Sequence, residues 1–369
     1  MKKIFPQTPT WYALAIPLLF LPMASGLMPV NAPTVLHLLL AVGALPLILS
    51  AMIYFAPVLT RSSVPSGWLH GVPLLALLSG LLVVAALWQW FWLLAVAVPL
   101  ALLAVVALYV WMRQQARRAL GGPHPGLRWY QDALLLLLLA LALISLLLFW
   151  PEQWSIWRTL HRHLNLCGFV GLTAIGTLQV LLPTVGSYPD AKAGQRLRLD
   201  RRYALLATLA LVAGSLVGPL LSAVGVALWG WLLLRLLQPW LPHWRRTLQA
   251  DGAALLLVAA VIGFACAVSS TLWQEGQIAL PLFIALFLLP LLSGALAHLL
   301  PLWWWPGVPT ARRDRAQRLL AKGAAWRLLC CWAAAAALSA ELGWGLLLLA
   351  IPPLWLLGST LFVLLTAEP

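Results

Sequence analysis

Three histidines and one cysteine stand at or just inside the ends of long apolar runs, where their side chains could ligate a metal. The first histidine opens the segment HLLLAVGALPLILSAMIYFAP, and the other residues lie in HRHLNLCGFVGLTAIGTLQVLLP. An ionisable side chain at membrane depth is costly and is therefore a candidate functional residue. Imidazole and thiol groups suit haem iron, copper or zinc. The candidate metal ligands are His37, His161, His163 and Cys167.

The spacing of these residues limits which of them can hold the same ion. His161 and His163 are two residues apart, so on a helix they point about 200° from each other and cannot chelate one ion unless the helix is frayed. His163 and Cys167 are four residues apart and share one helix face. The alternative for this pair is structural, with the imidazole bonded to a backbone carbonyl and the thiol packed among apolar side chains. Both interpretations stay open at this point.

The elements that must position these residues are membrane-spanning helices. The chain is 63% hydrophobic and only 9% charged, whereas about a quarter of the residues of a soluble domain are charged. Apolar runs of sufficient length recur along the chain, and each can cross the roughly 30 Å hydrocarbon core as a helix. The runs are continuous rather than alternating, which excludes a β-barrel. The sequence therefore predicts an all-α polytopic membrane protein.

The apolar runs predict about twelve transmembrane helices. The first run follows two lysines, in MKKIFPQTPTWYALAIPLLFLPMASG, and is interpreted as a retained span rather than a signal peptide because further spans follow it. The expected spans are 11–29, 34–58, 67–87, 91–112, 131–150, 161–184, 203–220, 222–239, 252–271, 277–302, 324–341 and 343–366.

Basic residues lie mainly on one side of these spans. Lys2 and Lys3 precede the first span, and basic residues follow the second, fourth, sixth, eighth and tenth spans. Because lysine and arginine are enriched in cytoplasmic loops, both termini are expected in the cytoplasm, with the protein in a bacterial-type inner membrane. The same loops account for the net charge of +14, so a nucleic-acid partner is not expected.

Two arginines depart from this charge pattern. Arg158 and Arg162 fall on the outer side, next to two of the candidate histidines. They could pair with haem propionates through charge-assisted hydrogen bonds, and contact with lipid headgroups is the alternative. Haem or copper is the expected cofactor, and the candidate cofactor-binding residues are His37, His163, Arg158 and Arg162.

Three proline-containing segments indicate an internal repeat. SAMIYFAP, GTLQVLLP and GALAHLLP each carry a small residue seven positions before a proline, and they end at Pro57, Pro183 and Pro301. Regular spacing is typical of a fold built from copies of one unit, although a sequence rich in Leu, Ala and Gly also produces chance matches. The repeat predicts one transmembrane domain, 1–369, made of three four-helix arcs about a pseudo-threefold axis. The units are approximately 1–128, 129–250 and 251–369.

The helix number, the topology and the histidine positions resemble subunit I of the haem–copper oxidases, a superfamily that includes cytochrome oxidases and nitric-oxide reductases. The segments HLNLCGFVGLTAIGTLQVLLPTV and HLLLAVGALPLILSAMIYFAPVLTRS also look like oxidase-like membrane proteins. The resemblance implies that His37 occupies the place of a low-spin haem ligand. It further implies that His163 is nearest to the place of a ligand for copper or non-haem iron.

The resemblance does not extend to a complete oxygen-reducing centre. The sequence has HLNLC where the oxidases have HPEVY, and it lacks their paired histidines near span 7 and their outer histidines in span 10. His298 lies at the inner end of span 10, which is the wrong side to replace them. Oxygen reduction is therefore not expected, and the sequence favours a protein that is not an enzyme.

The expected function is haem or copper binding on the periplasmic side, with a role in electron transfer, nitric-oxide response, or metal or haem handling. The nine acidic residues fall in loops or at span ends, which argues against proton coupling. The alternatives are a small-solute transporter or channel that uses the Gly- and Pro-rich spans as broken helices, and a cofactor-free assembly subunit. The expected partners are the lipid bilayer and other respiratory or assembly subunits.

Overall fold

The protein is a multi-pass helical membrane protein. Its structure, a computed structural model, describes residues 32–62, 67–119, 121–188, 190–245, 248 and 252–366. Within these ranges, ten helices are long and apolar enough to cross a membrane. The expected span 11–29 lies outside the described residues.

Eleven long helices follow one another along the described chain. The sixth differs from the ten apolar helices because its first third is highly charged, although the remainder is apolar. The tenth turns at Gly323, between an amphipathic first part, Ala311–Ala321, and a second part, Ala324–Ser339. The helices are α1 (Pro33–Thr60), α2 (Gly67–Trp88), α3 (Phe91–Arg118), α4 (Gly126–Leu148), α5 (Pro151–Val185), α6 (Ala193–Val217), α7 (Pro219–Leu237), α8 (Gly252–Leu272), α9 (Leu280–Trp304), α10 (Ala311–Ser339) and α11 (Gly345–Thr366).

Helices extend into segments that the sequence assigns to inner loops. The first part of α10 lies between the expected spans 277–302 and 324–341, and α6 begins between the expected spans 161–184 and 203–220. As a result Asp200, which the sequence places in a loop, lies inside α6 and is fully buried. The physical reason is an ion pair with Arg235 of α7, which allows the carboxylate to be buried.

Three of the helices contain a π-helical segment, which lies in the first half of α1 and α9 and at the middle of α5. These segments are Leu38–Ala44 in α1, Leu164–Gly171 in α5 and Phe283–Leu288 in α9. Each of the three helices also contains one of the repeat prolines, Pro57, Pro183 or Pro301. π-helical turns are rare and are frequently found at functional sites. The three helices singled out by the proline pattern therefore share a second irregular feature.

The chain divides into two compact units, Met1–Thr173 and Ala174–Pro369. In the first unit, Gly80 of α2 lies against the carbonyl oxygen of Ala41 in the π-helical segment of α1, and a Cβ on Gly80 would be only 2.6 Å from that oxygen. In the second unit, Gly263 of α8 meets the carbonyl of Leu286 in the π-helical segment of α9 in the same way. A side chain on either glycine would collide with backbone, so both positions require glycine for close helix packing.

Candidate functional site

Two imidazole rings lie side by side just before the π-helical segments of α1 and α5. The ring centroids of His37 and His161 are 6.3 Å apart, and their planes are within 17° of parallel. This separation falls inside the range of about 4.5–7 Å that is usual for pairs of flat rings. Both side chains are half-buried.

The hydrogen bonds of these two rings fix where their protons are. Nδ1 of His37 donates to the carbonyl oxygen of Pro33 at 2.7 Å, and Nδ1 of His161 donates to the carbonyl oxygen of Ala140 in α4 at 3.1 Å. A carbonyl oxygen can only accept, so Nδ1 carries the proton in the neutral form of both rings. The lone pair is then on Nε2, the arrangement found in histidines that ligate metals.

The π-helical segments begin directly after two of the candidate histidines. His37 is the residue before the segment in α1, and His163 is the residue before the segment in α5. His163 is fully buried, and its Nδ1 donates to the carbonyl oxygen of Thr159 at 2.9 Å. His37 and His163 therefore make the same bond, to the carbonyl four residues earlier. The ring that lies beside His37, however, is that of His161.

Cys167 lies within the π-helical segment that follows His163 and is fully buried. A thiol becomes a metal ligand as the thiolate, and full burial disfavours that charged form. The surroundings of Cys167 are therefore those of a packed apolar side chain.

The two outer arginines differ in their exposure. Arg158 is exposed, and its guanidinium lies 5.7 Å from the centroid of the Trp154 ring. Arg162 is half-buried. An arginine stacked on an exposed tryptophan is typical of the interface between a membrane and water. This contact agrees with the headgroup alternative for Arg158.

A second group of polar residues lies at the other end of α5 and the start of α6. Arg196 makes a 2.6 Å ion pair with Asp190, and its Nε donates to Oε1 of the buried Gln179 at 2.9 Å. Tyr188, which precedes this group, stacks on His243 with ring centroids 5.3 Å apart. Burial, with a smaller contribution from the charge of Asp190, raises the pKa of the Tyr188 phenol.

Two further arginines make hydrogen bonds inside the second unit. Nε of Arg235 donates to Asp200 at 3.0 Å, and its guanidinium lies 4.8 Å from the centroid of the Trp231 ring. Arg327 is fully buried and donates to the hydroxyl of Ser293 at 2.7 Å. It also donates to the carbonyl oxygens of Leu320 and Ala321 at 3.0 and 2.9 Å, at the end of the first part of α10.

Sequence reasoning missed the buried ion pair and the buried Arg327. Asp200 and Arg235 are 35 residues apart, so no local pattern connects them. The available signal was the position of Arg235 inside an apolar run, because a charge there requires a partner. The same signal applies to Arg327, which follows the turn at Gly323.

These features define an all-helical, multi-pass membrane protein with a pair of imidazoles at the start of two π-interrupted helices. Among the described residues, no cluster of three or more His, Cys, Asp or Glu side chains is arranged to hold a metal ion. No protein-family model and no curated protein sequence matches the chain. The similarity to the haem–copper oxidases therefore stays a prediction that depends on the sequence segments alone.

Proposed function

We propose that the protein holds one redox metal centre, copper or haem iron, between His37 and His161 at the outer side of the membrane. The observation that carries the proposal is the pair of nearly parallel rings with centroids 6.3 Å apart. The lone pair of Nε2 lies in the plane of its ring, so the two stacked rings would have to turn edge-on for both Nε2 atoms to bind one metal. With bonds of about 2.0 Å each, the ring centroids would then be separated by about 6 Å. The observed separation is close to this value, so binding would require the rings to rotate but the two helices to move little.

The hydrogen bonds around the two rings support the same assignment. Pro33 and Ala140 accept the Nδ1 protons, which orients each ring and leaves Nε2 to bind a metal. These acceptors are backbone carbonyls, so the orientation does not depend on the protonation of another side chain. His37 and His161 would hold the metal, while the buried ring of His163 would support the start of the π-helical segment in α5.

The number of ligands limits the choice of metal. Two imidazoles complete the coordination of haem iron, to which the porphyrin supplies four nitrogens, and they also suffice for linear Cu(I). Zinc usually takes four ligands, of which proteins supply at least three. Haem iron or copper, when bound, would supply one-electron chemistry. The corresponding role is electron transfer, nitric-oxide response, or the handling of copper or haem, and not the reduction of oxygen.

The wider architecture that we propose has twelve spans in three four-helix arcs, with both termini in the cytoplasm of a cell with a bacterial-type inner membrane. The π-helical segments support the threefold repeat in this architecture, because the distance from the first π residue to the repeat proline is similar in α1, α5 and α9. The separations are 19, 19 and 18 residues, for Leu38 to Pro57, Leu164 to Pro183 and Phe283 to Pro301. Respiratory or assembly subunits in the same membrane are the proposed partners.

Transport of a small solute is the second candidate function. It is favoured by the same π-helical segments, because helices interrupted at membrane depth form the binding sites of many transporters. This function does not require a metal. Metal analysis of the protein therefore separates the two candidates.

The test is to purify the protein from cells supplied with copper and a haem precursor, and to measure copper, iron and the haem absorbance per chain. We expect about one centre per chain in the wild type and at least a ten-fold loss in His37→Ala and in His161→Ala. His70→Gln, at the start of α2 and away from both rings in sequence, is the control and should keep the metal. A wild type without stoichiometric metal or haem would overturn the proposal.

A further inference from the structure

The second unit contains an open cavity that the proposed metal site does not involve. Its volume is about 540 Å³, which falls in the range of about 300–1,000 Å³ that is common for small-molecule sites. The first part of α10 forms one wall, and the beginning of α8 forms the other. The turn at Gly323 closes the cavity between them. This end of α8 and α10 is the one that the distribution of basic residues assigns to the cytoplasm.

Three basic side chains line one wall of the cavity. Arg315, Arg318 and Lys322 are exposed. They are three and four residues apart, about one helical turn each, so they lie on the same face of the helix. Asp314, the acidic residue of the same helix, is not among the lining residues. The wall is therefore strongly positive, and its charges are directed at an opening rather than at the interior of the protein.

The opposite wall is apolar. Leu248 and Leu255 line it from the side of α8, and Leu319 adds an apolar contact between the basic residues of α10. Gly323 and Ala324, at the beginning of the second part of α10, complete the lining. No side chain caps the N-terminus of this helix part. Its backbone amides add to the positive potential that the three cations create.

We propose that this cavity binds the phosphate headgroup of an anionic lipid from the cytoplasmic leaflet. A cavity with cations on one wall and leucines on the other is complementary to a molecule that is anionic at one end and apolar at the other. Basic pockets between transmembrane helices on the cytoplasmic side take anionic lipid headgroups for this reason. Free phosphate would be attracted by the same cations, but it would gain nothing from the apolar wall.

The test compares the thermal stability of the full-length purified protein with added phosphatidylglycerol, phosphatidylcholine or inorganic phosphate. We expect phosphatidylglycerol to raise the Tm, and the other two to have no effect at the same concentration. The double variant Arg315→Gln, Arg318→Gln should bind phosphatidylglycerol about 30-fold more weakly, since each cation near a membrane surface contributes about 1 kcal/mol. The single variant Lys322→Gln should weaken binding about five-fold, which gives a second reading if the double variant does not fold.

The control is the double variant Arg117→Gln, Arg118→Gln, which removes two exposed cations at the end of α3. It should respond to phosphatidylglycerol as the wild type does. An equal Tm shift in the wild type and in both cavity variants would overturn the proposal. So would a shift produced by inorganic phosphate alone, because the site would then bind a free anion rather than a lipid.

Discussion

Replacing Arg327 tests how the turn inside α10 is stabilised. The guanidinium is fully buried and donates to the carbonyl oxygens of Leu320 and Ala321 and to the hydroxyl of Ser293. The variant Arg327→Met keeps most of the side-chain volume but removes all of these donors. The two carbonyls belong to the last turn of a helix, where no intrahelical donor is available.

The expected loss of stability follows from these contacts. Each buried acceptor left without a donor costs about 1–3 kcal/mol, and removing a buried cation offsets part of this cost. We therefore expect Arg327→Met to lower the free energy of unfolding by about 3 kcal/mol. For a chain of 369 residues this corresponds to a decrease of about 4 °C in Tm, by the entropy per residue of globular proteins.

The assay is thermal unfolding in detergent, with the exposed Arg128→Met as a matched control. The control removes the same group from the surface and should change the Tm by less than about 1 °C, because surface substitutions have small effects. If Arg327→Met is as stable as this control, the hydrogen bonds to the end of the first helix part do not stabilise the turn, and the reasoning is refuted.

Three further predictions concern the charged residues and the topology. Asp200→Asn should reduce stability by about 1–2 kcal/mol, since Arg235 is one-third exposed and can partly replace its partner with water; a Tm equal to that of the wild type would contradict this. The Tyr188 phenol should ionise above its ordinary pKa of about 10. The measurement is the change in tyrosine absorbance as the pH is raised, and Tyr188→Phe should lose the part of this change that occurs at the highest pH. Because the folded-state pKa is raised, its contribution to stability is complete below about pH 10 and is lost as the pH rises through the folded-state value; ionisation together with the exposed tyrosines would refute the assignment. A reporter fused after Pro369 should be active as a cytoplasmic fusion, and periplasmic activity would reverse the proposed orientation.

The membrane-helical class could be predicted from composition alone, because 63% hydrophobic residues in long continuous runs leave few alternatives. The helix ends could not be predicted as well. Charged segments such as Ala311–Ala321 have no apolar run to mark them, although they are helical. The number of spans and the threefold repeat stay predictions.

The candidate site could be predicted in part. The sequence indicated that histidines at the start of two apolar runs are unusual, but it favoured His37 and His163 because the resemblance to the haem–copper oxidases places these two at ligand positions. Which ring lies beside His37 depends on how α1 and α5 pack, and the ring there is that of His161. The π-helical segments were also not predictable, because a change in the backbone hydrogen-bond pattern leaves no mark in the pattern of apolar residues.

The central claim is that one metal is held between His37 and His161, and X-ray absorption at the copper or iron edge tests it most directly. In the metal-loaded wild type, the account predicts two imidazole nitrogens at about 2.0 Å from the metal. One imidazole should be lost from the spectrum of any metal that remains in His37→Ala or in His161→Ala. A sulfur neighbour, which would implicate Cys167, or a spectrum that is unchanged in both variants would contradict the account.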